Sequence, residues 1–325
     1  MLRAGLVGLG MMGRHHARVL RGLEGVEFVG VYDPAPGLPD EIDGTPVHRE
    51  LSALLELGLD YCVVAAPTVY HLELGTELAG RGIHALIEKP VASDTAAADV
   101  LCELFETAGL VGGVGHIERF NPALQAMRRR LEDGLIGEIF QITTRRQGPF
   151  PGRIADVGVV KDLATHDIDL TAWVSQQDYV SVNARTTHRS GREHEDMVIA
   201  IATLSGGTIA SHTVNWLSPF KERTTVVTGE KGSLVADTLT ADLTLHQNGV
   251  IESQWDRVSS FRGVTEGDVT RFALVRKEPL LAEHEAFRDA VLSGDTARIV
   301  TLREGRQALM VAERIVADGR EHQLK

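Results

Sequence analysis

The stretch Ala-Gly-Leu-Val-Gly-Leu-Gly-Met-Met-Gly-Arg, from Ala4 to Arg14, decides the fold that we predict for this chain. A short apolar run leads into Gly8, Gly10 and Gly13, and a helical pattern follows. In such a strand–turn–helix unit the first glycine permits the tight turn. The second lets the backbone approach a pyrophosphate, and the third lets the helix pack on its strand. The helix N-terminus favours the phosphates through its unpaired N–H groups and its dipole.

An acidic residue stands where a dinucleotide site needs one. The second predicted strand, Val26 to Tyr32, ends at Asp33, which is 20 residues after Gly13. A carboxylate at about this distance accepts hydrogen bonds from the adenosine ribose hydroxyls. It would repel a 2′-phosphate, and no arginine follows directly, so we expect NAD and consider NADP less favoured. The alternative is a βαβ unit that binds nothing.

The composition is that of an ordinary globular protein. The 325 residues suffice for about two domains, with 43% hydrophobic and 24% charged residues. A net charge of −12 argues against a nucleic-acid partner. We find no apolar run of about 18 residues and no room for a signal peptide before the first strand, so we expect a cytoplasmic protein without membrane contact. Cys62 and Cys102 have no metal-ligand spacing, so we expect reduced thiols and no metal.

The order of predicted elements indicates an α/β fold with two domains. Strands and helices alternate up to Gly115, which predicts a doubly wound parallel sheet with helices on both faces, including a helix over Thr95–Thr107. The pattern changes after Asn121, and from Val180 the chain is strand-rich, with a hairpin signal at 205–207. This predicts an α+β domain with an open, mostly antiparallel sheet. We therefore divide the chain into a dinucleotide-binding domain, 1–121, and a substrate-binding and oligomerisation domain, 122–325.

The strand Met197–Leu204 is apolar on both faces. Ile199 and Ile201 point one way, whereas Val198 and Ala200 point the other. A half-solvated antiparallel strand would carry polar residues on one face. We expect helices of the chain to cover one face and a second subunit the other, which predicts a homodimer or homotetramer. The alternative is a second internal layer.

Polar residues follow the predicted strands at the edge where parallel sheets bind ligands. Lys89 follows Ala85–Glu88 directly, so its ammonium group would face a bound dinucleotide. A cation there stabilises the alkoxide that forms as hydride leaves a substrate carbon. In the second domain, Asp162 and His166 are four residues apart on a helix predicted over 163–174, which places them on one face. A histidine beside a carboxylate accepts a hydroxyl proton at neutral pH. The alternative for this pair is a helix cap and a surface histidine.

These motifs together resemble the glucose–fructose oxidoreductase, inositol dehydrogenase and rhizopine catabolism (Gfo/Idh/MocA) family along the whole chain. The resemblance implies an NAD-binding Rossmann domain followed by a second domain whose open sheet mediates oligomerisation. It implies catalysis by Lys89 and His166 with support from Asp162, and a cis peptide between Lys89 and Pro90. The cofactor-binding residues that we assign are Gly8, Gly10, Met11, Met12, Gly13, Asp33, Ala66, Pro67, Thr68, His71, Glu88 and Lys89.

Two further runs, 115–122 and 148–154, resemble the branch of the family that acts on nucleotide-linked sugars at a 3-hydroxyl or 3-keto carbon. A departure from the general family pattern lies at 159–161, where many members carry a glycine run. The substrate-binding residues that we assign are Lys89, Arg119, Asn121, Arg153, Asp162 and His166. Arg119 and Arg153 would pair with a diphosphate in a bidentate manner, unless they are solvated loop residues. The alternatives for function are an inositol, polyol or free-sugar dehydrogenase and a non-catalytic NAD-binding sensor.

Overall fold

In the computed structural model, which describes residues 1–152, 157–249 and 265–321, the chain divides into two units. The first contains Met1–Ile117 and Glu278–Met310, and the second contains Glu118–Lys277 and Val311–Lys325. The first division lies close to the boundary that we predicted at residue 121. The segment Glu278–Met310, which we had placed in the second domain, instead belongs to the first unit. Its return depends on contacts between distant residues, such as the edge-to-face pair of Tyr61 and Phe287, and local sequence patterns do not report such contacts.

The strands of the first unit form one sheet that is parallel apart from a single edge pair. They are β1 (Leu2–Val7), β2 (Val26–Tyr32), β3 (Glu41–Ile42), β4 (Thr45–His48), β5 (Tyr61–Val64), β6 (His84–Glu88) and β7 (Gly112–Gly115). Their order in the sheet is β3-β4-β2-β1-β5-β6-β7, and only β3 and β4 pair antiparallel. The chain changes direction of winding at β1, so the carboxyl ends of β1, β2, β5 and β6 are neighbours. Ligands bind at such a switch point in open parallel sheets.

The helices have the following bounds: α1 (Met11–Gly22), α2 (Leu51–Leu55), α3 (His71–Gly80), α4 (Thr95–Thr107), α5 (Pro122–Glu132), α6 (Thr165–Ser175), α7 (Pro279–Ser293) and α8 (Leu302–Glu321). Helix α4 has the predicted bounds, because the side chain of Asp94 accepts a hydrogen bond from the Ala97 N–H and fixes the first turn. The core of the first unit includes Val64, Leu78, Ile87, Leu101 and Phe105. Apolar strands buried on both faces account for the continuous hydrophobic runs in this part of the sequence.

The strands of the second unit form a mostly antiparallel sheet, as predicted. They are β8 (Ile139–Pro149), β9 (Tyr179–Thr187), β10 (Met197–Leu204), β11 (Ile209–Asn215), β12 (Leu217–Gly229), β13 (Gly232–Asp237), β14 (Asp242–Gly249) and β15 (Thr265–Arg271). The order is β15-β14-β13-β12-β8-β11-β10-β9, and β8 and β11 pair in parallel. The hairpin at 205–207 joins β10 to β11. Helices α5 and α6 cover one face, where the core includes Leu124, Met127, Ile142, Leu170 and Leu234.

The other face of this sheet is open and partly apolar. Ile199, Ile201 and Ile209 are 47%, 56% and 43% exposed, whereas Val198 and Ala200 on the opposite face of β10 are buried. The alternation agrees with the two-faced pattern predicted from the sequence. No helix of the described residues is long and apolar enough to cross a membrane.

Candidate active site

The glycine turn after β1 has the geometry that the motif predicts. Gly8 has a φ of +94°, which favours glycine, and its N–H donates to the Tyr32 carbonyl at 2.8 Å. A Cβ on Gly13 would lie 2.0 Å from the carbonyl oxygen of Gly8, so only glycine lets α1 pack this closely. A Cβ on Gly10, the N-cap of α1, would meet no described atom within 4 Å. The turn is therefore tight on its inner side and open above Gly10, which is the form of a pyrophosphate cradle.

Asp33 closes one side of this turn. Its Oδ2 accepts a hydrogen bond from the Leu9 N–H at 2.6 Å, and its Oδ1 accepts one from the Ala35 N–H at 2.9 Å. Each carboxylate oxygen has a further lone pair, so these bonds orient Asp33 and leave acceptor capacity for ribose hydroxyls. Nearby at the same edge of the sheet, Met11, Val69 and Tyr70 are 48%, 64% and 52% exposed. An open cradle with exposed apolar residues at its rim fits a dinucleotide.

His71 joins the segments that follow β5 and β6. Its side chain is buried, with Nε2 2.9 Å from the Ala66 carbonyl oxygen and Nδ1 3.0 Å from that of Pro90. The imidazole therefore fixes the backbone around Ala66 and Pro67 relative to the Lys89–Pro90 turn. We assigned His71 to cofactor binding, and its position indicates that it would act by holding the backbone that borders the cradle.

Lys89 lies at the carboxyl end of β6, partly buried, and its peptide bond to Pro90 is cis, as the resemblance implied. The preceding Glu88 points into the unit, where Oε1 lies 2.8 Å from His16 Nε2 and Oε2 accepts the Lys89 N–H at 3.1 Å. Burial raises the pKa of the Glu88 carboxyl, but the hydrogen bond and charge of His16, together with Lys89, outweigh burial and lower it. Glu88 is therefore an ionised carboxylate beneath Lys89.

Asp162 lies in a π-helical turn, Val160–Ala164, that leads directly into α6, where His166 is the second residue. We predicted a continuous α-helix here. The Asp162 N–H nevertheless donates to the Gly158 carbonyl at 3.0 Å, which is an α-type bond, so the turn widens only after it. Both side chains are mostly buried, at 7% and 9% exposure. Single π turns within helices occur frequently at functional sites, because they redirect side chains without breaking the helix.

Two buried ion pairs anchor α6 within the turn that follows His166. Arg146 on β8 donates to Asp167 at 3.0 Å and to Glu118 at 2.7 Å. Burial lowers the pKa of Arg146, but the two carboxylates outweigh it and raise that pKa, so the guanidinium stays charged. Arg119 donates to both oxygens of Asp169, at 2.8 and 2.6 Å. Bidentate pairs fix direction as well as distance, so the helix presents His166 in one orientation.

The structure gives two predicted substrate residues other partners. The guanidinium of Arg119 is buried in its pair with Asp169, and the residue is 6% exposed, so it is not presented to a diphosphate. Asn121 caps α5 through the Ala123 N–H at 3.0 Å and donates to the Thr238 carbonyl at 3.0 Å. Arg119 neutralises a buried carboxylate and Asn121 bonds to backbone groups, and neither partner could be recognised from the surrounding loop sequence. Arg153 lies outside the described residues.

Three residues that our sequence analysis did not select are prominent here: Arg146, His16 and Arg223. Arg146 stands at an inward-facing position of β8, two residues after the buried Thr144, so the strand alternation contains a signal for a buried charge. His16 carries no such signal, because its partner Glu88 is 72 residues away. Arg223 on β12 has a side chain that is 37% exposed, and it contacts Glu118 at 3.4 Å.

The predicted residues of the first unit gather at one edge of its sheet, and Asp162 and His166 stand four residues apart where the π turn leads into α6. Among the described residues, no cluster of His, Cys, Asp or Glu could hold a metal ion. The edge of the first unit offers a turn for phosphate, a carboxylate for ribose hydroxyls and a lysine for a developing oxyanion. The second unit offers a carboxylate and an imidazole four residues apart at the start of α6.

Comparisons with known proteins agree with this description. A sequence profile described as "Oxidoreductase family, NAD-binding Rossmann fold" matches residues 2–116, and one described as "GFO/IDH/MocA C-terminal domain" matches residues 124–235. UDP-N-acetylglucosamine 3-dehydrogenase of Acidithiobacillus ferrooxidans is 28% identical over 89% of this chain and 88% of its own length. Its solved structure superposes with a TM-score of 0.85 at 26% identity, covering 98% of this chain and 97% of that one.

Inositol 2-dehydrogenase 2 of Saccharopolyspora erythraea is 30% identical, but the match covers 60% of each chain. The two profile matches lie in sequence order and account for most of the chain, and the first spans the residues of the glycine turn and of β1 to β7. The chain belongs to the GFO/IDH/MocA family of oxidoreductases, with an NAD-binding Rossmann domain.

Proposed function

We propose that this protein is an NAD-dependent dehydrogenase that transfers hydride between the nicotinamide and a secondary alcohol of a nucleotide-linked sugar, at its 3-hydroxyl or 3-keto carbon. The observation that carries the proposal is the end-to-end similarity, through both units, to a UDP-N-acetylglucosamine 3-dehydrogenase. Similarity confined to the first unit would support only a dinucleotide site. Similarity that continues through the second unit supports a shared substrate class.

The residues that we assign to NAD are those of the open cradle and its rim. Backbone N–H groups at the start of α1 would hold the pyrophosphate, and Asp33 would hold the ribose hydroxyls. Small residues Ala66 and Pro67 would border the nicotinamide. The chemistry that bound NAD supplies is transfer of hydride to or from the sugar carbon.

Lys89, Asp162 and His166 supply the acid–base and electrostatic chemistry. His166 takes the hydroxyl proton of the sugar as the carbon is oxidised, and it returns a proton to the oxygen when the keto sugar is reduced. Lys89 stabilises the negative charge that develops on that oxygen. Asp162 orients either the imidazole or a neighbouring hydroxyl. Anchoring of α6 by Asp167 and Asp169 leaves His166 with one orientation, which favours proton transfer to a fixed position.

For the diphosphate of the substrate we assign Arg223 in place of Arg119. Its guanidinium is partly exposed, and its pKa is lowered by burial and by the nearby charge of Arg146. An anionic ligand would relieve that repulsion and pair with the fork of N–H donors. Arg223→Gln should therefore raise the KM for a nucleotide sugar while leaving the KM for NAD unchanged.

We also propose that the protein is a homo-oligomer in the cytoplasm. The open face of the second sheet exposes Ile199, Ile201 and Ile209, which water does not favour, and a second copy of the chain would cover them. The two cysteines are buried free thiols, in keeping with a reducing compartment.

A second candidate is an inositol or polyol dehydrogenase, which the 30% identity to an inositol 2-dehydrogenase favours. The glycine turn and Lys89 would serve an inositol dehydrogenase equally well. An inositol has no diphosphate, so its binding would need no cation for that group. A screen of NAD reduction over UDP-N-acetylglucosamine, free N-acetylglucosamine, myo-inositol and scyllo-inositol separates the two. We expect turnover with the nucleotide sugar at a kcat/KM at least about 100-fold above the others, the discrimination that buried polar recognition provides. Turnover with inositols alone would overturn the proposal, and NAD binding without any turnover would favour a sensor.

A further inference from the structure

Four ionisable side chains form a buried cluster in the first unit, away from the cradle surface. His16 projects from α1, Glu88 ends β6, and Glu283 and His284 project from α7; their residues are 0%, 9%, 2% and 1% exposed. Lys, Glu, Arg and Asp are almost never buried unless they are paired. Packing alone would favour apolar residues at these positions, so the cluster calls for another explanation.

Hydrogen bonds connect three members of this cluster, His284, His16 and Glu88, in series to the backbone of Lys89. His284 Nε2 lies 2.8 Å from His16 Nδ1, His16 Nε2 lies 2.8 Å from Glu88 Oε1, and Glu88 Oε2 accepts the Lys89 N–H at 3.1 Å. The two imidazole rings meet edge to face, with centroids 5.0 Å apart. The line runs from α7, through the helix that follows the glycine turn, to the residue that we assign to the developing oxyanion.

The charge on Glu88 fixes the direction of the donor facing it. Glu88 is ionised, as shown above, so its Oε1 accepts and His16 Nε2 must carry a proton. The ionisable groups near Glu88 are His16 on α1, Lys89 directly after its own strand, Glu283 on α7 and His71 on α3. Burial raises the pKa of Glu283 well above its usual value, and the charge of Glu88 raises it further, which favours the neutral form of Glu283. Burial and His16 lower the pKa of His284, so this ring is neutral too. The negative charge of the cluster therefore rests on Glu88.

We propose that His16 and His284 are positioning residues of the active site, which hold the Glu88 carboxylate beneath Lys89 and so fix the Lys89 turn for catalysis. This inference rests on the proposed function. His16 gives Glu88 the hydrogen bond that keeps it ionised despite burial, and His284 holds the His16 ring in the plane that this bond requires. Neither histidine touches the substrate.

Two substitutions of His16 test the hydrogen bonds of its two ring nitrogens separately. In His16→Gln the amide nitrogen reaches the place of Nε2, so the bond to Glu88 is kept and the bond to His284 is lost. In His16→Asn the amide reaches only the place of Nδ1, so the bond to Glu88 is lost. A displacement of about 1 Å at a catalytic group costs about 100-fold. We therefore expect kcat to fall about 10-fold to 100-fold in His16→Asn and less than about 3-fold in His16→Gln, with the KM for NAD little changed in both.

The pH profile distinguishes positioning from loss of folding. Without the His16 donor, only Lys89 opposes the effect of burial on Glu88, so the Glu88 pKa rises. The acid limb of kcat should therefore move to higher pH in His16→Asn and not in His16→Gln. A structural defect would lower kcat by the same factor at every pH. Equal activity and equal acid limbs in the two variants would overturn the proposal. If His16→Asn fails to fold, as seen by circular dichroism, His284→Asn and His284→Gln repeat the comparison one bond further from Lys89.

Nitrogen-15 NMR of the imidazoles in the wild-type protein without substrate provides a readout that does not depend on turnover. We expect His16 Nε2 to carry a proton and to show coupling to a strong acceptor, because it donates to the ionised Glu88. An Nε2 without a proton would overturn the positioning proposal even if the enzyme were active. Absence of turnover in the wild type with His16 Nε2 protonated would instead count against the proposed function.

Discussion

The glycine turn needs close packing at Gly13 and open space at Gly10, and substitutions at these two positions should separate the effects on stability and on NAD binding. A Cβ on Gly13 would lie 2.0 Å from the Gly8 carbonyl oxygen, whereas real Cβ contacts stay above about 3.0 Å, so α1 must move by about 1 Å. The atom that the Cβ meets belongs to the backbone, which yields less readily than a side chain. Overpacking of this kind costs about 1–3 kcal/mol. Gly13→Ala should lower the free energy of unfolding by that amount.

Gly10→Ala has the reverse profile. The added methyl group meets no described atom within 4 Å, so the only cost to folding is a poorer N-cap, under about 1 kcal/mol. The methyl group would stand where the pyrophosphate approaches the backbone, and we expect NAD affinity to fall at least about 10-fold, or about 1.4 kcal/mol. Gly22→Ala, at the far end of the same helix and also without neighbours within 4 Å, is the matched control and should keep wild-type affinity.

Urea unfolding and NAD titration by calorimetry measure the two effects independently. The expected pattern is a stability loss in Gly13→Ala and an affinity loss in Gly10→Ala at nearly unchanged stability. NAD binding by Gly10→Ala as tight as by the wild type would refute the assignment of the cradle. An unchanged free energy of unfolding in Gly13→Ala would refute the packing argument.

Three further predictions concern stability and assembly. Arg146→Met leaves two buried carboxylates without their shared cation and should cost about 3–5 kcal/mol in urea unfolding, while Arg145→Ala, exposed on the same strand, should change stability by less than about 0.5 kcal/mol. The Tm of Glu283→Gln should rise relative to that of the wild type as pH increases above about 4.3. A carboxyl whose pKa is raised in the folded state stabilises the protein below its unfolded pKa and loses that contribution at higher pH, and the variant has no such carboxyl. A Tm difference that stays constant between pH 4 and 8 would contradict this expectation. Ile201→Asp should give a lower molar mass by light scattering, while Leu239→Asp, exposed in a turn, should not; equal masses would argue against assembly through the open sheet.

The sequence predicts local structure best where the residues that cause that structure lie within the same short stretch. Helix α4 has the predicted bounds because its apolar spacing lies within it and its N-cap, Asp94, directly precedes it. The glycine turn and Asp33 are likewise local, since each distance along the chain is set by one βαβ unit. The return of Glu278–Met310 to the first unit could not be predicted in this way, because it depends on packing between residues far apart in sequence.

The same distinction between local and distant causes applies to the residues of the candidate site. Its sheet-edge residues could be selected because parallel strands bring their carboxyl ends together whatever the rest of the fold does. Arg119 could not be interpreted, because a loop arginine and a buried partner of Asp169 look alike until α6 is in place. The π turn at Val160–Ala164 is equally hidden, since its apolar spacing is that of an ordinary helix. The role of His16 depends on Glu88, which no local pattern links to it.

The central claim is that Lys89 stabilises the oxyanion during hydride transfer from a nucleotide-linked sugar. NADH formation from UDP-N-acetylglucosamine and NAD should be measured for the wild type and Lys89→Met, with NAD affinity determined in parallel. We expect kcat to fall about 100-fold to 1000-fold in the variant at nearly unchanged NAD affinity, the loss typical of a removed oxyanion donor. Turnover by Lys89→Met at the wild-type rate would contradict the claim.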